Sequence, residues 1–230
     1  PFTILDGAMG TELIKRGLTL PKHIWSADAN IHHPKLVQLI HKEYIDAGAD
    51  YITTNTFRTT PRAYAKARIT GNTLVNVVKD ARTSLNKALD IAKAAAGFSV
   101  KIIGSIAPLE DCYRPDLFPG RNIAMPEYYQ LGKWLTDSGV DILLLESMNS
   151  IIETEAGLIA LKKFKFPLWV SFVLKDHNCL LSGEKISKAI NRLNKYMVDC
   201  MLLNCNPLGR TLMAVENLIS NWPHSWGIYP

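Results

Sequence analysis

Asp6, Glu146 and Cys205 each follow a short apolar run in this sequence, and their side chains can do chemistry. Two carboxylates could act as an acid/base pair, bind a divalent metal ion or hold an ammonium group. A thiol in such a position could be a nucleophile, a metal ligand or an inert buried side chain. At this stage each of these interpretations stays open.

The first of the three, Asp6, lies in the opening stretch of residues 4–12. Gly7 and Gly10 bracket a tight turn after it, and glycine lets the backbone approach a ligand closely. We therefore consider Asp6 a ligand-binding residue. Alternatively, Asp6 caps the helix that Thr11 and Glu12 begin, which is a common role for Asp.

Short apolar runs alternate with helical patterns along the whole chain. The predicted strands are residues 4–5, 51–54, 101–106, 141–146, 168–174, 200–205 and 226–229. The predicted helices are residues 34–48, 73–96, 127–138, 152–163, 184–195 and 211–219. Continuous apolar strands are typical of parallel sheets covered on both faces.

This alternation predicts an α/β fold, and we favour a (β/α)8 TIM barrel over a doubly wound sheet. Polar residues recur at one end of nearly every predicted strand, as barrel active sites require, and no GxGxxG follows the first strand. A closed barrel needs eight strands and the sequence predicts seven, so we expect the last β/α unit to be lacking. We predict one barrel domain over residues 1–230, C-terminally incomplete, with the loop 108–126 as a functional lid or rim.

The composition is that of an ordinary globular protein, with 230 residues, 47% hydrophobic and 20% charged, and a net charge of +5. No apolar run is long enough to span a bilayer and no signal-peptide pattern is present, so we expect a cytoplasmic protein without a membrane partner. The densest basic cluster, residues 162–165, falls where a helix should end and complements its dipole, so no nucleic-acid partner is expected.

Five segments closely resemble the homocysteine S-methyltransferase family. They are Asp6-Gly7-Ala8-Met9-Gly10-Thr11, Thr54-Asn55-Thr56-Phe57, Gly104-Ser105-Ile106-Ala107-Pro108, Leu144-Leu145-Glu146 and Asn204-Cys205. They occur in the family's order and at the predicted strand ends. Residues 107–116 are most similar to the branch that uses S-methylmethionine or related sulfonium donors.

The resemblance implies a zinc-dependent enzyme of methionine biosynthesis, which methylates the zinc-bound thiolate of homocysteine. It implies that Asp6 and Glu146 hold the ammonium group of homocysteine, and that Gly7, Thr54 and Asn55 complete the substrate site. Its substrates are small molecules, homocysteine and the methyl donor. No side chain is assigned as a catalytic acid or base.

The resemblance also makes Cys205 the first of three zinc-binding cysteines. The other two are adjacent in a Gly-Gly-Cys-Cys-Gly segment on the family's eighth strand, which these 230 residues do not contain. Cys112, Cys179 and Cys200 are not at matching positions. We therefore expect the remaining zinc ligands beyond Pro230, and residues 1–230 alone to bind zinc poorly, because catalytic zinc needs three protein ligands.

The identity of the donor and two other functions stay open at this point. Betaine is less favoured than a sulfonium donor, because Arg58 is a poor wall for an aromatic cage, and a cobalamin or folate enzyme would carry further domains. One alternative function is a metal-free, non-catalytic relative that keeps an amino-acid-binding pocket. Another is a barrel lyase that uses Asp6 and Glu146 with magnesium.

Overall fold

The computed structural model describes residues 2–69, 76–98 and 100–230. Within these ranges the strands are β1 Tyr51–Thr53, β2 Lys101–Ile106, β3 Ile142–Met148, β4 Leu168–Phe172, β5 Cys200–Asn204 and β6 Ser225–Tyr229. The α-helices are α1 Met9–Lys15, α2 Ala29–His32, α3 Pro34–Asp46, α4 Pro61–Ile69, α5 Val77–Ala96, α6 Arg121–Asp137, α7 Ile151–Leu161, α8 Ile186–Leu193 and α9 Leu208–Asn221. Short 3-10 helices cover Trp25–Asp28, Pro115–Leu117 and Lys162–Phe164.

The first of two compact units comprises Pro1–Ser105 and Trp134–Asp141. In it β1 and β2 pair in parallel. Helix α3 begins at Pro34, whose fixed φ suits the first helical position. The buried face of α3 carries Val37 and Ile40, which pack with Leu13 of α1 in one hydrophobic cluster. The unit thus combines parallel strands with amphipathic helices that bury their apolar faces.

The second unit comprises Ile106–Lys133 and Ile142–Pro230. Its strands are all parallel, with β3 paired to β4, β4 to β5 and β5 to β6. The middles of β3, β4 and β5 are buried almost without interruption, as expected for parallel strands covered on both faces. The predicted α/β class with parallel strands is confirmed.

The predicted first strand is wrong as a strand. Leu5 forms only an isolated parallel bridge with Tyr51. Backbone bonds still join this segment to β1, because the Asp6 N–H donates to the Tyr51 carbonyl at 3.0 Å, and the Asp50 carboxylate accepts from the Ile4 N–H at 2.8 Å. The apolar run is too short to extend the pairing.

Helix boundaries differ from the sequence prediction by up to three residues at α3, α7, α8 and α9, and differ in two further helices for local reasons. Helix α6 begins at Arg121 and contains Pro126, whereas the sequence predicted a loop up to residue 126. Pro126 is the sixth residue of this helix and has no N–H to donate to the carbonyl four residues before it, but the helix continues through it to Asp137. The predicted helix 73–96 is found from Val77, after Asn76 caps it by accepting from the Lys79 N–H at 3.1 Å; residues 73–75 of that prediction lie outside the described residues.

No helix in the described part of the chain is both long enough and apolar enough to cross a membrane. The prediction of one domain over residues 1–230 stays a prediction.

Candidate functional site

In the first unit, the Asp6 carboxylate is held by the backbone and side chain of one residue of β1. Asp6 is 8% exposed, and its Oδ2 accepts from the Thr53 N–H at 2.8 Å while its Oδ1 accepts from the Thr53 hydroxyl at 2.9 Å. The N-cap residue of α1 is Ala8, and no side chain caps that helix. Asp6 therefore does not cap α1, and its carboxylate is oriented by a neighbouring strand.

The glycines of the opening turn make room for two aromatic side chains. A Cβ on Gly7 would lie 2.6 Å from the Tyr44 hydroxyl, and a Cβ on Gly10 would lie 2.6 Å from Nε1 of Trp25. Both distances are too short for any real Cβ contact. The sequence predicted that the backbone of this turn lies close to a ligand, and in the structure the side chains of Tyr44 and Trp25 lie against it.

Thr54, which follows β1, is buried and fully hydrogen-bonded within the first unit. Its N–H donates to the Ile103 carbonyl at 2.8 Å. Its hydroxyl lies 2.7 Å from the Thr56 hydroxyl and accepts from the Ser105 N–H at 3.2 Å. The observed role of Thr54 is to hold the loop after β1; its contact with substrate stays a prediction.

Asn55 has a similar structural role. Its Nδ2 donates to the Ser26 carbonyl at 2.8 Å and to Oδ1 of Asn30 at 2.9 Å. The Asn30 amide in turn donates to the Asn55 carbonyl at 2.9 Å and to the Ser84 hydroxyl at 3.1 Å. Both amide protons of Asn55 are used by the protein, so any substrate contact must come through other atoms.

His41 of α3 is a residue beside Asp6 that the sequence analysis did not select. It is fully buried, and its Nδ1 lies 4.0 Å from Oδ2 of Asp6. Neither ring nitrogen has a hydrogen-bond partner. Burial lowers the pKa of His41 to about 4, so the ring is neutral at neutral pH. A lone histidine within an apolar helix pattern gives no sequence signal for this position.

In the second unit, Glu146 is a half-buried residue of β3, two positions before its last residue. Its Oε1 lies 3.3 Å from the hydroxyl of Tyr229, the last residue of β6. The same hydroxyl lies 2.9 Å from Oγ of Ser171 on β4. Burial, and then the charge of Glu146, raise the pKa of Tyr229, so the phenol keeps its proton.

Cys205 follows β5 directly and is exposed, with a φ of 52° in the left-handed region. Its sulfur lies 3.3 Å from Nδ2 of Asn204 and 4.0 Å from the hydroxyl of Ser147. Burial of the thiol, and then the negative charge of Glu146, raise the pKa of Cys205. Glu146 and Cys205 therefore interact electrostatically in the second unit, and their roles as site residues stay a prediction.

Ser147 is a second residue that the sequence analysis missed. It too has a positive φ, 58°, which is uncommon for a residue with a side chain and costs conformational energy. Its hydroxyl accepts from Nδ2 of Asn204 at 2.7 Å, and its N–H donates to the Ser171 hydroxyl at 2.9 Å. Two strained residues, Ser147 and Cys205, therefore meet where β3 and β5 end.

The described side chains provide a candidate metal ligand and no complete metal site. Among residues 2–69, 76–98 and 100–230, no group of three or more His, Cys, Asp or Glu side chains could hold a metal ion. Cys112 and Cys200 are buried, and burial raises the pKa of Cys200 to about 12. Cys205 fits one ligand position of a zinc site, because thiolates are zinc ligands, but it does not make a complete site with the other described residues.

Comparison with known proteins gives consistent matches over nearly the whole chain. A family model described as Homocysteine S-methyltransferase matches residues 3–230. Homocysteine S-methyltransferase YbgG of Bacillus subtilis (strain 168) is 26% identical over 243 residues, covering 100% of this chain and 77% of that protein. The homocysteine S-methyltransferase of Escherichia coli (strain K12) is 28% identical over 233 residues, covering 94% and 73%.

A solved structure agrees with the sequence matches. The metallated form of the homocysteine methyltransferase MmuM from Escherichia coli superposes with a TM-score of 0.89 at 26% identity, covering 99% of this chain and 83% of that one. The resemblance found in five short segments is therefore confirmed over residues 3–230. This chain belongs to the homocysteine S-methyltransferase family, a family of enzymes.

Proposed function

We propose that this protein transfers a methyl group from a cationic donor of the S-methylmethionine type to the sulfur of homocysteine, giving methionine. The observation that carries the proposal is the position of Cys205 beside the end of β3: its sulfur lies 4.0 Å from the hydroxyl of Ser147, the residue that follows Glu146. A carboxylate suits the ammonium group of an amino acid, and a neighbouring thiol suits a metal ion that binds the sulfur of the same molecule. Family membership supports this assignment.

Asp6 and Glu146 are the proposed binding residues for the ammonium group. Each carboxylate is oriented by a hydrogen bond from another strand, Asp6 by Thr53 and Glu146 by Tyr229. Preorganised carboxylates lower the cost of fixing the substrate in one orientation. Gly7, Thr54 and Asn55 belong to the same proposal as the residues that shape the backbone around the substrate.

Cys205 is the proposed metal ligand, and zinc is the proposed metal. Zinc, when bound, supplies chemistry that the side chains lack: it stabilises a thiolate, whereas a free thiol with a pKa near 8.5 is mostly protonated at pH 7. MmuM of Escherichia coli has a metallated form, which supports a metal in this family. The remaining ligands stay an expectation for sequence beyond Pro230.

A sulfonium donor fits the proposed transfer. The homocysteine sulfur forms a bond to the methyl carbon while the bond from that carbon to the donor sulfur breaks, and the electron pair leaves with the donor as a neutral thioether. No proton has to be supplied. The guanidinium of Arg58 lies 5.1 Å from the centre of the Phe57 ring, so this ring already contacts a cation and is a poor wall for an aromatic cage around the quaternary ammonium of betaine.

The finer prediction of the fold, a (β/α)8 barrel that this chain covers without its last β/α unit, is also a proposal. Six parallel strands in the described residues and the TM-score of 0.89 to MmuM support it. A cytoplasmic location, a role in methionine biosynthesis and small-molecule partners only are proposed with it.

The test is an assay of the full-length protein for methionine formation from homocysteine with zinc and one donor at a time: S-methylmethionine, betaine or a methylated folate. We expect methionine with the sulfonium donor, and little with the other two. Glu146→Gln should raise the KM for homocysteine, while Glu216→Gln, a matched change on α9, should not. A protein that binds homocysteine but forms no methionine with any donor would instead be the non-catalytic relative, and activity that survives removal of zinc would refute the proposed metal.

A further inference from the structure

A chain of hydroxyl groups ends on the carboxylate of Glu146 in the second unit. The Ser147 N–H donates to Oγ of Ser171 at 2.9 Å. The Ser171 Oγ lies 2.9 Å from the Tyr229 hydroxyl, which lies 3.3 Å from Oε1 of Glu146. Three strands contribute to this chain: β3 provides Glu146 and Ser147, β4 provides Ser171, and β6 provides Tyr229.

The Tyr229 hydroxyl is the donor toward two oxygen atoms, Oγ of Ser171 at 2.9 Å and Oε1 of Glu146 at 3.3 Å. Tyr229 has one hydroxyl proton, and an ionised carboxylate can only accept, so Ser171 and Glu146 share this proton. Oγ of Ser171 also accepts from the Ser147 N–H. The Tyr229 hydroxyl therefore links Ser171 of β4 and the Glu146 carboxylate of β3 to β6.

We infer that Tyr229 is a positioning residue, whose hydroxyl fixes the Glu146 carboxylate in the orientation that receives the substrate's ammonium group. This inference rests on the proposed function. A tyrosine suits the task because its hydroxyl is neutral and orients the carboxylate without neutralising it. A Lys or Arg side chain in the same place would compete with the ammonium group for the same oxygens.

Tyr196→Phe is a matched control for Tyr229→Phe. The Tyr196 hydroxyl lies 3.4 Å from Oε1 of Glu155, a carboxylate that also contacts Arg121 and Arg192. Both changes remove one phenolic hydroxyl from a tyrosine–glutamate pair in the same unit. Only Tyr229 contacts the carboxylate that is proposed to bind substrate.

The experiment compares homocysteine with 4-sulfanylbutanoate, which is homocysteine without its amino group, as methyl acceptors. For Tyr229→Phe we expect the KM for homocysteine to rise about tenfold, because a hydrogen bond to a charged group is lost. The kcat and the KM for 4-sulfanylbutanoate should change less than about twofold, since that molecule has no ammonium group to receive. Tyr196→Phe should leave all these values unchanged.

Both KM values are measured on the same enzyme preparation. Unfolding of a fraction of the variant molecules therefore does not change their ratio. Ser171→Ala is a second variant and should leave the KM for homocysteine unchanged or lower it, because the Tyr229 proton then has Glu146 as its remaining acceptor in this chain. An equal rise for both acceptors or an unchanged ratio in Tyr229→Phe, or a rise in the KM for homocysteine alone in Ser171→Ala, overturns the inference. If Glu146→Gln also leaves the ratio unchanged, the proposed function fails; if only Glu146→Gln changes it, Tyr229 alone was wrongly assigned.

Discussion

Replacing Asp6 by Asn separates a substrate-binding role from a structural one. Asp6 now accepts two hydrogen bonds from Thr53, one from its N–H at 2.8 Å and one from its hydroxyl at 2.9 Å. Asn has the shape of Asp, so its Oδ1 can accept from the Thr53 N–H and its Nδ2 can donate to the Thr53 hydroxyl. The loss is the stronger bonding of a charged acceptor, offset by a lower cost of burying a neutral group. We expect the free energy of unfolding to fall by about 1 kcal/mol.

The effect on homocysteine should be larger. Asp6 is buried, so removing its charge takes a poorly screened attraction from the ammonium group. Loss of one partner of a buried charge pair costs about 2 to 5 kcal/mol. At the lower part of this range, 2 to 3 kcal/mol, the dissociation constant for homocysteine should rise about 30- to 150-fold.

The assay is a calorimetric titration with homocysteine, together with urea unfolding of the same samples. Asp50→Asn is the matched control, because Asp50 accepts from the Ile4 N–H at 2.8 Å in the same unit but is exposed. It should leave the dissociation constant unchanged. A result in which Asp6→Asn lowers stability by more than about 3 kcal/mol while homocysteine binds within threefold of normal would falsify the reasoning and assign Asp6 to folding.

Three further changes test single contacts. His41→Leu should flatten the pH dependence of the free energy of unfolding. The pKa of His41 is about 4 in the folded protein and about 6.5 in the unfolded chain, so the unfolded chain takes up the proton first and the free energy of unfolding falls by up to about 3 kcal/mol between pH 6.5 and 4. Urea unfolding at pH 7.5 and pH 5 measures this loss in the parent protein and its reduction in the variant. Glu153→Ala should lower the free energy of unfolding by about 3 kcal/mol, because Glu153 accepts hydrogen bonds from the Tyr128 hydroxyl and the Leu109 N–H, each at 2.9 Å. Glu153→Gln keeps an acceptor oxygen and should recover part of this lost stability, which chemical denaturation measures. Cys205→Ser should abolish methyl transfer with less than about 1 kcal/mol loss of stability, since Cys205 is exposed; an active Ser variant contradicts the assignment of the thiol.

Local sequence patterns predicted most of the strand positions. The apolar runs around Leu144 and Leu203 are long, and both residues are fully buried in the parallel strands β3 and β5. Because these runs end at defined residues, the positions of Glu146 and Cys205 near the strand ends followed from them. At Leu5 the run was too short, and the chain forms only a bridge.

Contacts between distant residues could not be predicted in this way. His41 lies beside Asp6, and Tyr229 beside Glu146, across separations of 35 and 83 residues (41 − 6 and 229 − 146). No local pattern encodes such pairs, because they depend on how helices and strands pack. The positive φ of Ser147 was equally hidden, since the residue type does not require it and only the surrounding hydrogen bonds enforce it.

The partners of a buried carboxylate indicate which acids can bind an ammonium group. Glu155 contacts the guanidinium groups of Arg121 and Arg192, so cations already use its charge. Glu146 and Asp6 instead accept the hydrogen bonds described above from hydroxyl and backbone N–H groups, which orient a carboxylate and leave its negative charge in place. A neutral hydrogen-bond donor fixes the direction of a carboxylate without adding a positive charge that would compete with an ammonium group. This distinction needs the structure, since Glu146 and Glu155 are the same residue type nine positions apart in sequence (155 − 146).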